Sequence, residues 1–210
     1  MPLFNVIRSL GAGFGHGSAP GARLTTMADQ VVTNFIQAMI LDGRGFQVRA
    51  GTITTPLSAD VLITDTAAEM CVDAAAGTTL IPFSLQVDIE ALVGTLPQIT
   101  AKSVATVSSA GTAFVPLPLK SDSAAAVSTA RVAAAGGVTV TAELVTTTLL
   151  HYARTLAVAA DAPAEWNPLY APVLVGARCF YVQVASVTTG STYFGTFSYI
   201  ECPTLLVNPS

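Results

Sequence analysis

The sequence predicts an all-β fold built from antiparallel sheets that pack as a two-sheet sandwich. Short runs in which apolar and polar residues alternate recur along residues 45–205, and Gly, Pro, Asp or Ser separate them. This period of two residues is typical of half-buried strands, and the regular spacing of turn residues is typical of a sandwich. Hydrophobic residues make up 51% of the 210 residues, so material for a core is ample. At this length we expect one β-domain preceded by an arm.

Residues 1–44 are predicted to form an extended N-terminal arm, and residues 45–210 the β-domain. The first 25 residues are rich in Gly, Ala, Ser and Pro, and such a segment buries too little area to order itself. We expect the arm to order by lying on a neighbouring copy, with a disordered tail as the alternative. The expected assembly contacts lie at its apolar start: Leu3, Phe4, Val6, Ile7 and Arg8.

One short helix is predicted within the arm, over residues 27–41. Thr26 and Asp29 resemble a capping box, apolar residues then recur at helical spacing, and Asp42-Gly43 is a stop signal. Because Val, Thr, Phe and Ile are mediocre helix formers, a buried strand is the alternative for this segment.

The first half of the β-domain contains one long, regular strand among several short ones. Short strands are predicted over 46–50, 52–55, 61–64 and 101–107. The long strand covers 79–90, and its alternation would place five apolar side chains on one face: Ile81, Phe83, Leu85, Val87 and Ile89. Pro82 cannot donate to a ladder, which indicates an edge strand or the start of a strand.

The second half of the β-domain ends in a predicted hairpin. Before it we expect an extended segment at 114–119, a surface loop or short helix at 121–137, strands at 138–145 and 146–154, and an ordered loop at 162–168. Trp166 is the expected anchor of that loop. Residues 179–201 alternate strictly on both sides of a Gly-bearing link, which is the signature of two strands joined by a turn.

The start of the long strand and the end of the chain carry a family resemblance. The segment AGTTLIP at 76–82 leads into the long strand, and SYIE at 198–201, followed by Pro203, closes the last one. Together these strands resemble the jelly-roll domains of bacteriophage virion proteins over residues 45–205. The resemblance implies a two-sheet jelly roll of eight or more strands, and a role as a capsid, capsid-decoration or spike subunit, often as a trimer.

Charge and hydropathy restrict the partners that the chain could have. The net charge is −4 and the few basic residues are scattered, whereas a nucleic-acid surface needs clustered positive charge. We therefore expect no genome-binding role, although Arg8 and Arg23 could touch phosphates. No apolar run reaches the ~18 residues of a membrane span, and the first residues do not resemble a signal peptide. We therefore expect synthesis in the cytoplasm, and the resemblance implies assembly in the host cytoplasm and a final place in the virion.

The histidines and cysteines form no catalytic or metal-binding motif. His16 and His151 are not tied by spacing to a nucleophile, although a pair formed only in space is the alternative. Cys71, Cys179 and Cys202 show neither metal spacing nor an even disulfide framework. Buried free thiols are favoured over a bond between Cys179 and Cys202. We predict no catalytic residues, no metal and no cofactor.

Four carboxylates cluster near predicted turns. Asp60, Asp65, Glu69 and Asp73 could hold a calcium ion between subunits, since loop oxygens are calcium ligands. Their spacing matches no calcium-loop motif, so solvated turn carboxylates are favoured.

The low charge predicts a non-enzymatic assembly protein, and the resemblance implies that it is a virion structural protein. Charged residues make up 10% of the chain, against a usual share of about 25%. We expect this low-charge surface to be buried between copies and other capsid proteins, in a homo-oligomer of trimeric type. The alternative is a phage spike that recognises a host glycan or protein through Trp166 and Tyr170. A secreted β-sandwich enzyme or lectin is a third hypothesis, disfavoured by the start of the chain.

Overall fold

A computed structural model of the chain describes residues 34–91, 96–133, 137–143, 147–156, 163–186 and 191–204. These residues form one short helix, α1 (Phe35–Leu41), and a set of strands. The strands are β1 (Gly45–Ala50), β2 (Leu57–Ser58), β3 (Ala67–Ala68), β4 (Met70–Asp73), β5 (Thr78–Ala91), β6 (Gln98–Val104), β7 (Ser109–Ala110), β8 (Thr112–Phe114), β9 (Leu117–Pro118), β10 (Thr129–Val132), β11 (Val138–Thr139), β12 (Leu149–Thr155), β13 (Ala164–Trp166), β14 (Leu174–Val175), β15 (Cys179–Ala185) and β16 (Thr192–Pro203). The predicted all-β class is confirmed.

The strands form three antiparallel sheets. A seven-stranded sheet has the order β13-β5-β16-β1-β9, with β14 also pairing with β5 and β2 with β16. A six-stranded sheet has the order β12-β6-β15-β4-β10-β8, and a three-stranded sheet the order β3-β11-β7. All the pairings between these strands are antiparallel.

The main core lies between the two large sheets. Phe180 of β15 and Phe197 of β16 meet edge to face, with ring centroids 5.3 Å apart. Around them pack buried side chains from both sheets, among them Val48, Leu85, Tyr199, Met70, Val72 and Val182. Each such side chain contributes about 1.5–3 kcal/mol on burial, so this layer is the main source of stability.

The predicted closing hairpin is wrong, although both of its strands exist. β15 pairs with β4 and β6 in the six-stranded sheet, whereas β16 pairs with β1 and β5 in the seven-stranded sheet. Phe180 and Phe197 face each other across the core, which requires their strands to lie in opposite sheets. The alternating pattern therefore identified the strands but not their partners.

The long strand β5 is confirmed, but a bulge interrupts it. Its pairing with β16 shifts register between Ser198, which faces Ser84, and Tyr199, which faces Pro82. Phe83 is the extra residue on β5. On the other side of β5, β13 pairs only with residues 85–87 and β14 only with residues 79–80. Pro82 therefore lies at a bulge and at a local edge of the sheet, as predicted, where a missing ladder donor is tolerated.

The bulge reverses the face that β5 presents to the core. Leu85 and Val87, after the bulge, point into the main core, as predicted. Ile81, before the bulge, packs instead with Met39 of α1 and Ile200 of β16. The prediction that five apolar side chains share one face is thus wrong. Ile81 and Phe83 instead form part of the surface against which α1 packs.

Helix α1 confirms the helical interpretation for residues 35–41. The Asn34 side chain caps its first turn by accepting a hydrogen bond from the Gln37 backbone N–H at 2.8 Å. Asp42 is the C-cap, and Gly43 follows with a φ of 78°, the conformation of a helix stop. The predicted cap at residues 26–29 lies outside the described residues. Within the part of the chain that the structure describes, no helical segment has the length and hydropathy that a membrane span requires.

Two of the short predicted strands are wrong. Residues 52–55 form a tight turn, in which the Thr55 N–H donates to the Thr52 side chain at 3.0 Å, and residues 61–64 form bends. Conversely, β10 falls in the predicted loop at 121–137, and β13 falls in the predicted loop at 162–168. Strand propensity in a run of four residues is weak, and pairing with neighbours overrides it.

Candidate assembly groove and buried polar clusters

An open apolar groove lies beside α1, on the side of the seven-stranded sheet that faces away from the main core. Its volume is about 710 Å³. The bulge in β5 forms its floor, because it turns Ile81 and Phe83 towards the helix. The residues that line it include Phe35, Ile36, Ile81, Phe83, Leu169 and Tyr170.

Large apolar side chains on the rim of the groove are exposed to solvent. Leu169 and Tyr170 have 87% and 88% of their surface accessible, and Phe35 of α1 has 43%. Single exposed apolar residues are common on proteins, but a contiguous group around a groove marks an interaction site. The groove is therefore the leading candidate for a functional surface.

The structure separates the two aromatic residues that the sequence analysis grouped. Tyr170 lies on the exposed rim of the groove. Trp166 is half-buried in β13 and stacks on Phe180, with ring centroids 5.9 Å apart. Of this pair, Tyr170 is the more exposed residue. The expected assembly contacts at Leu3, Phe4, Val6, Ile7 and Arg8 lie outside the described residues.

A serine and a histidine meet in space although no sequence spacing links them. Ser103 Oγ lies 2.8 Å from His151 Nε2, and the His151 ring stacks on Phe180. Burial lowers the pKa of His151. Ser103 is enclosed in β6, so its hydroxyl is closed to a substrate. This pair ties β12 to β6.

The four turn carboxylates have different environments. Asp60 and Asp65 are exposed, as the prediction of solvated side chains requires. Glu69 is buried and accepts a hydrogen bond from the Tyr193 hydroxyl at 3.1 Å. Burial, followed by the negative charge of Asp60, raises the pKa of Glu69 to about 8. For Glu69, as for the buried Asp73, the prediction of a solvated carboxylate is wrong.

Two cysteines and one carboxylate meet on the outer face of the six-stranded sheet. Cys71 and Asp73 lie on β4, and Cys179 lies on the adjacent β15, opposite Asp73. The two sulfur atoms and a carboxylate oxygen all lie within 4.8 Å of one another. All three residues are buried, beneath the three-stranded sheet. Sequence spacing missed this cluster because Cys71 and Cys179 are far apart in the chain.

The thiols of the chain are free and buried, as the sequence analysis favoured. Cys202 lies on β16 in the other large sheet and contacts Thr79. Burial, with further contributions from Cys71 and Asp73, raises the pKa of the Cys179 thiol well above its ordinary value. Cys179 is therefore a neutral thiol at neutral pH in the metal-free fold.

Asp73 is the organising carboxylate of the cluster. It accepts hydrogen bonds from the Ser108 backbone N–H at 2.8 Å and from the Ser108 hydroxyl at 2.6 Å. The Arg131 guanidinium lies 3.6 Å away, and Cys71 Sγ lies 3.1 Å from Ser108 Oγ. These contacts balance the charge of the buried carboxylate and hold its orientation.

Comparison of the chain with known protein families, with curated proteins and with solved structures finds no match. The resemblance to phage virion proteins therefore stays a prediction. The geometry of the groove is the basis for the functional conclusion.

Proposed function

We propose that this chain is a non-enzymatic structural subunit of a virus particle, either in the capsid shell or as a capsid decoration. It assembles with copies of itself, as a trimer, and with other capsid proteins. The observation that carries this proposal is the apolar groove beside α1. It leaves large apolar side chains uncovered on a chain with only 10% charged residues. Such a surface favours burial against another chain.

We further propose that the two large sheets form a jelly roll, and the strand order supports this. Eight strands carry the pattern, in chain order β1, β4, β5, β6, β12, β13, β15 and β16. In the seven-stranded sheet β1, β16, β5 and β13 lie side by side, which are the first, eighth, third and sixth of these strands. In the six-stranded sheet β4, β15, β6 and β12 lie side by side, which are the second, seventh, fourth and fifth. This is the order that a jelly roll produces. Because lectin and cupin domains share it with viral capsid proteins, the fold alone does not decide the function.

The occupant of the groove is the N-terminal arm of a second copy. The arm joins the described fold at Asn34, which itself lines the groove. Roughly 25 residues separate Arg8 from Asn34, and a chain of that length can span up to ~85 Å. That reach is enough for the apolar start of one arm, from Leu3 to Ile7, to enter the groove of a neighbour.

The energy of one arm in one groove favours a closed assembly over a single one-way contact. Burying four apolar side chains contributes about 6–12 kcal/mol. Association costs about 4–15 kcal/mol in lost freedom of motion. One contact is therefore comparable with the cost, whereas a closed assembly, in which every copy donates one arm and receives another, gives every copy two such contacts.

The test of the proposed function is a charge placed on the rim of the groove. Leu169→Lys should weaken association by about tenfold or more, because it puts a charge where apolar contact is needed. Ile53→Lys is the matched control, since Ile53 is also exposed, at 70%, but lies in the turn at 52–55. Mass photometry of both variants and the parent chain gives the distribution of oligomers. A parent chain that stays monomeric at tens of µM, or an equal loss in both variants, overturns the proposal.

Deletion of residues 1–25 tests the occupant separately from the groove. Association should fall as it does in Leu169→Lys, while the far-ultraviolet circular dichroism of the β-domain stays unchanged. Unchanged association would show that the arm does not occupy the groove. Another surface of the second copy would then be its occupant.

The spike hypothesis has one observation in its favour, the exposure of Tyr170. A glycan array would test it directly. Binding that is lost in Tyr170→Ala, with the oligomer intact, would favour a receptor-binding role over a shell role.

A further inference from the structure

We propose that Cys71, Cys179 and Asp73 form a structural site for a four-coordinate divalent cation of the zinc type. The inference is independent of the proposed function. It starts from the three possible ligand atoms, which already lie within 4.8 Å of one another. Thiolates and carboxylates bind zinc at about 2.0–2.3 Å, so small side-chain rotations bring all three to one centre.

Ser108 completes the site. Its hydroxyl oxygen lies 3.1 Å from Cys71 Sγ and 2.6 Å from Asp73 Oδ2, which places it beside two of the three ligands as the candidate for the fourth position. Its backbone N–H donates to Asp73 Oδ1 at 2.8 Å, which orients the carboxylate. Hydrogen bonds of this kind from outside the ligand set are usual at protein metal sites.

The charges of the cluster balance with the cation present and without it. Without a cation, the charge of Asp73 is offset by Arg131 at 3.6 Å. When the cation binds, each thiol loses one proton to solvent, and two thiolates replace two thiols. The cation and the guanidinium carry +3, and the two thiolates and the carboxylate carry −3. No net charge enters the interior, where an unpaired charge costs several kcal/mol.

The position of the site in the fold indicates what the cation does. Cys71 and Cys179 pack in a small cluster with Ala68, Val138 and Val140, beneath the three-stranded sheet. Strands of two residues bury little apolar area of their own. A cation that joins β4, β15 and the segment at Ser108 would attach this small sheet to the six-stranded sheet, and its binding energy would add to folding energy.

The experiment measures metal in the full chain. The protein is produced in zinc-supplemented medium, and a second sample is refolded with Co²⁺ under reducing conditions. We expect about one zinc per chain and a thiolate-to-cobalt charge-transfer absorption, because two cysteines ligate the ion. Cys71→Ser and Cys179→Ser should each lower metal content at least about tenfold. Cys202→Ser is the matched control, since Cys202 is equally buried but lies in the other sheet.

Metal measurements on the parent chain and on Cys202→Ser test the proposed site even if Cys71→Ser or Cys179→Ser does not fold. A parent chain with less than a tenth of a zinc per chain and no cobalt–thiolate absorption overturns the site. So does a Cys71–Cys179 disulfide in the parent chain, or a loss of metal in Cys202→Ser as large as in Cys71→Ser. A rise in the melting temperature of the parent chain on adding zinc, reversed by a chelator, supports it.

Discussion

At the scale of single residues, a buried carboxylate attaches a long loop to the sheet behind it. Glu201 of β16 accepts hydrogen bonds from the backbone N–H groups of Val127 and Ser128, both at 2.8 Å. The Ser128 hydroxyl also lies 2.6 Å from the Tyr199 hydroxyl. Through these hydrogen bonds, β16 holds the segment that leads into β10. Glu201 thereby stabilises the edge of the core although it is polar.

Replacing this carboxylate should destabilise the fold. Glu201→Gln places an amide N–H₂ against one of the two backbone donors, and an unsatisfied buried donor costs about 1–3 kcal/mol. Urea denaturation measures the free energy of unfolding. Glu165→Gln is the control, because Glu165 is exposed on β13 and its change should stay within about 0.5 kcal/mol. Equal losses in the two variants would contradict the role assigned to Glu201.

At the scale of elements, the chain passes from the three-stranded to the six-stranded sheet at one glycine. Gly111 lies between β7 and β8 and has a φ of 65°. A Cβ atom at this position would lie 2.8 Å from the Val132 carbonyl oxygen and 2.7 Å from a Val138 methyl group. The connection therefore needs glycine both for its backbone conformation and for the close approach of β10 and β11.

Gly111→Ala should destabilise the protein more than Gly77→Ala. Gly77 also has a positive φ, 78°, but a Cβ atom there would meet nothing within 4 Å. The backbone penalty is similar at the two positions, so the difference measures the steric contact, about 1–3 kcal/mol. Chemical denaturation of both variants gives this difference. Similar free energies of unfolding would mean that the sheets move apart to accept the methyl group.

At the scale of the whole molecule, association should depend on apolar burial more than on charge. The chain has few charged residues, and the rim of the groove carries Leu169, Tyr170 and Phe35. Salt shortens the distance over which charges interact from about 10 Å at 0.1 M to about 3 Å at 1 M. Apolar contacts do not depend on attraction between charges, so this screening does not weaken them.

The oligomer should therefore persist at high salt and weaken on cooling. Raising NaCl from about 0.1 to about 1 M should leave the association constant equal or higher, because screening removes little attraction. Cooling should lower it, because the hydrophobic driving force fades at low temperature. Analytical ultracentrifugation over both series is the measurement. A tenfold loss of association at high salt would indicate a charged interface instead.

The sequence by itself determined the features that depend on neighbouring residues. The two-residue period located β1, β5, β15 and β16, and Asp42-Gly43 located the end of α1. These signals are readable because backbone conformation responds to residues a few positions away. The free, buried state of the thiols was likewise favoured by their number and spacing.

Only the tertiary structure decided which strands pair and which side chains meet. It placed β15 and β16 in opposite sheets, and it put a bulge at Phe83 that turned part of β5 towards α1. It also brought Cys179 to Cys71 and Asp73, and opened the groove beside the helix. Each of these features depends on contacts between segments far apart in the chain. Their pairing is set by the packing of the whole core, which no local pattern of residues encodes.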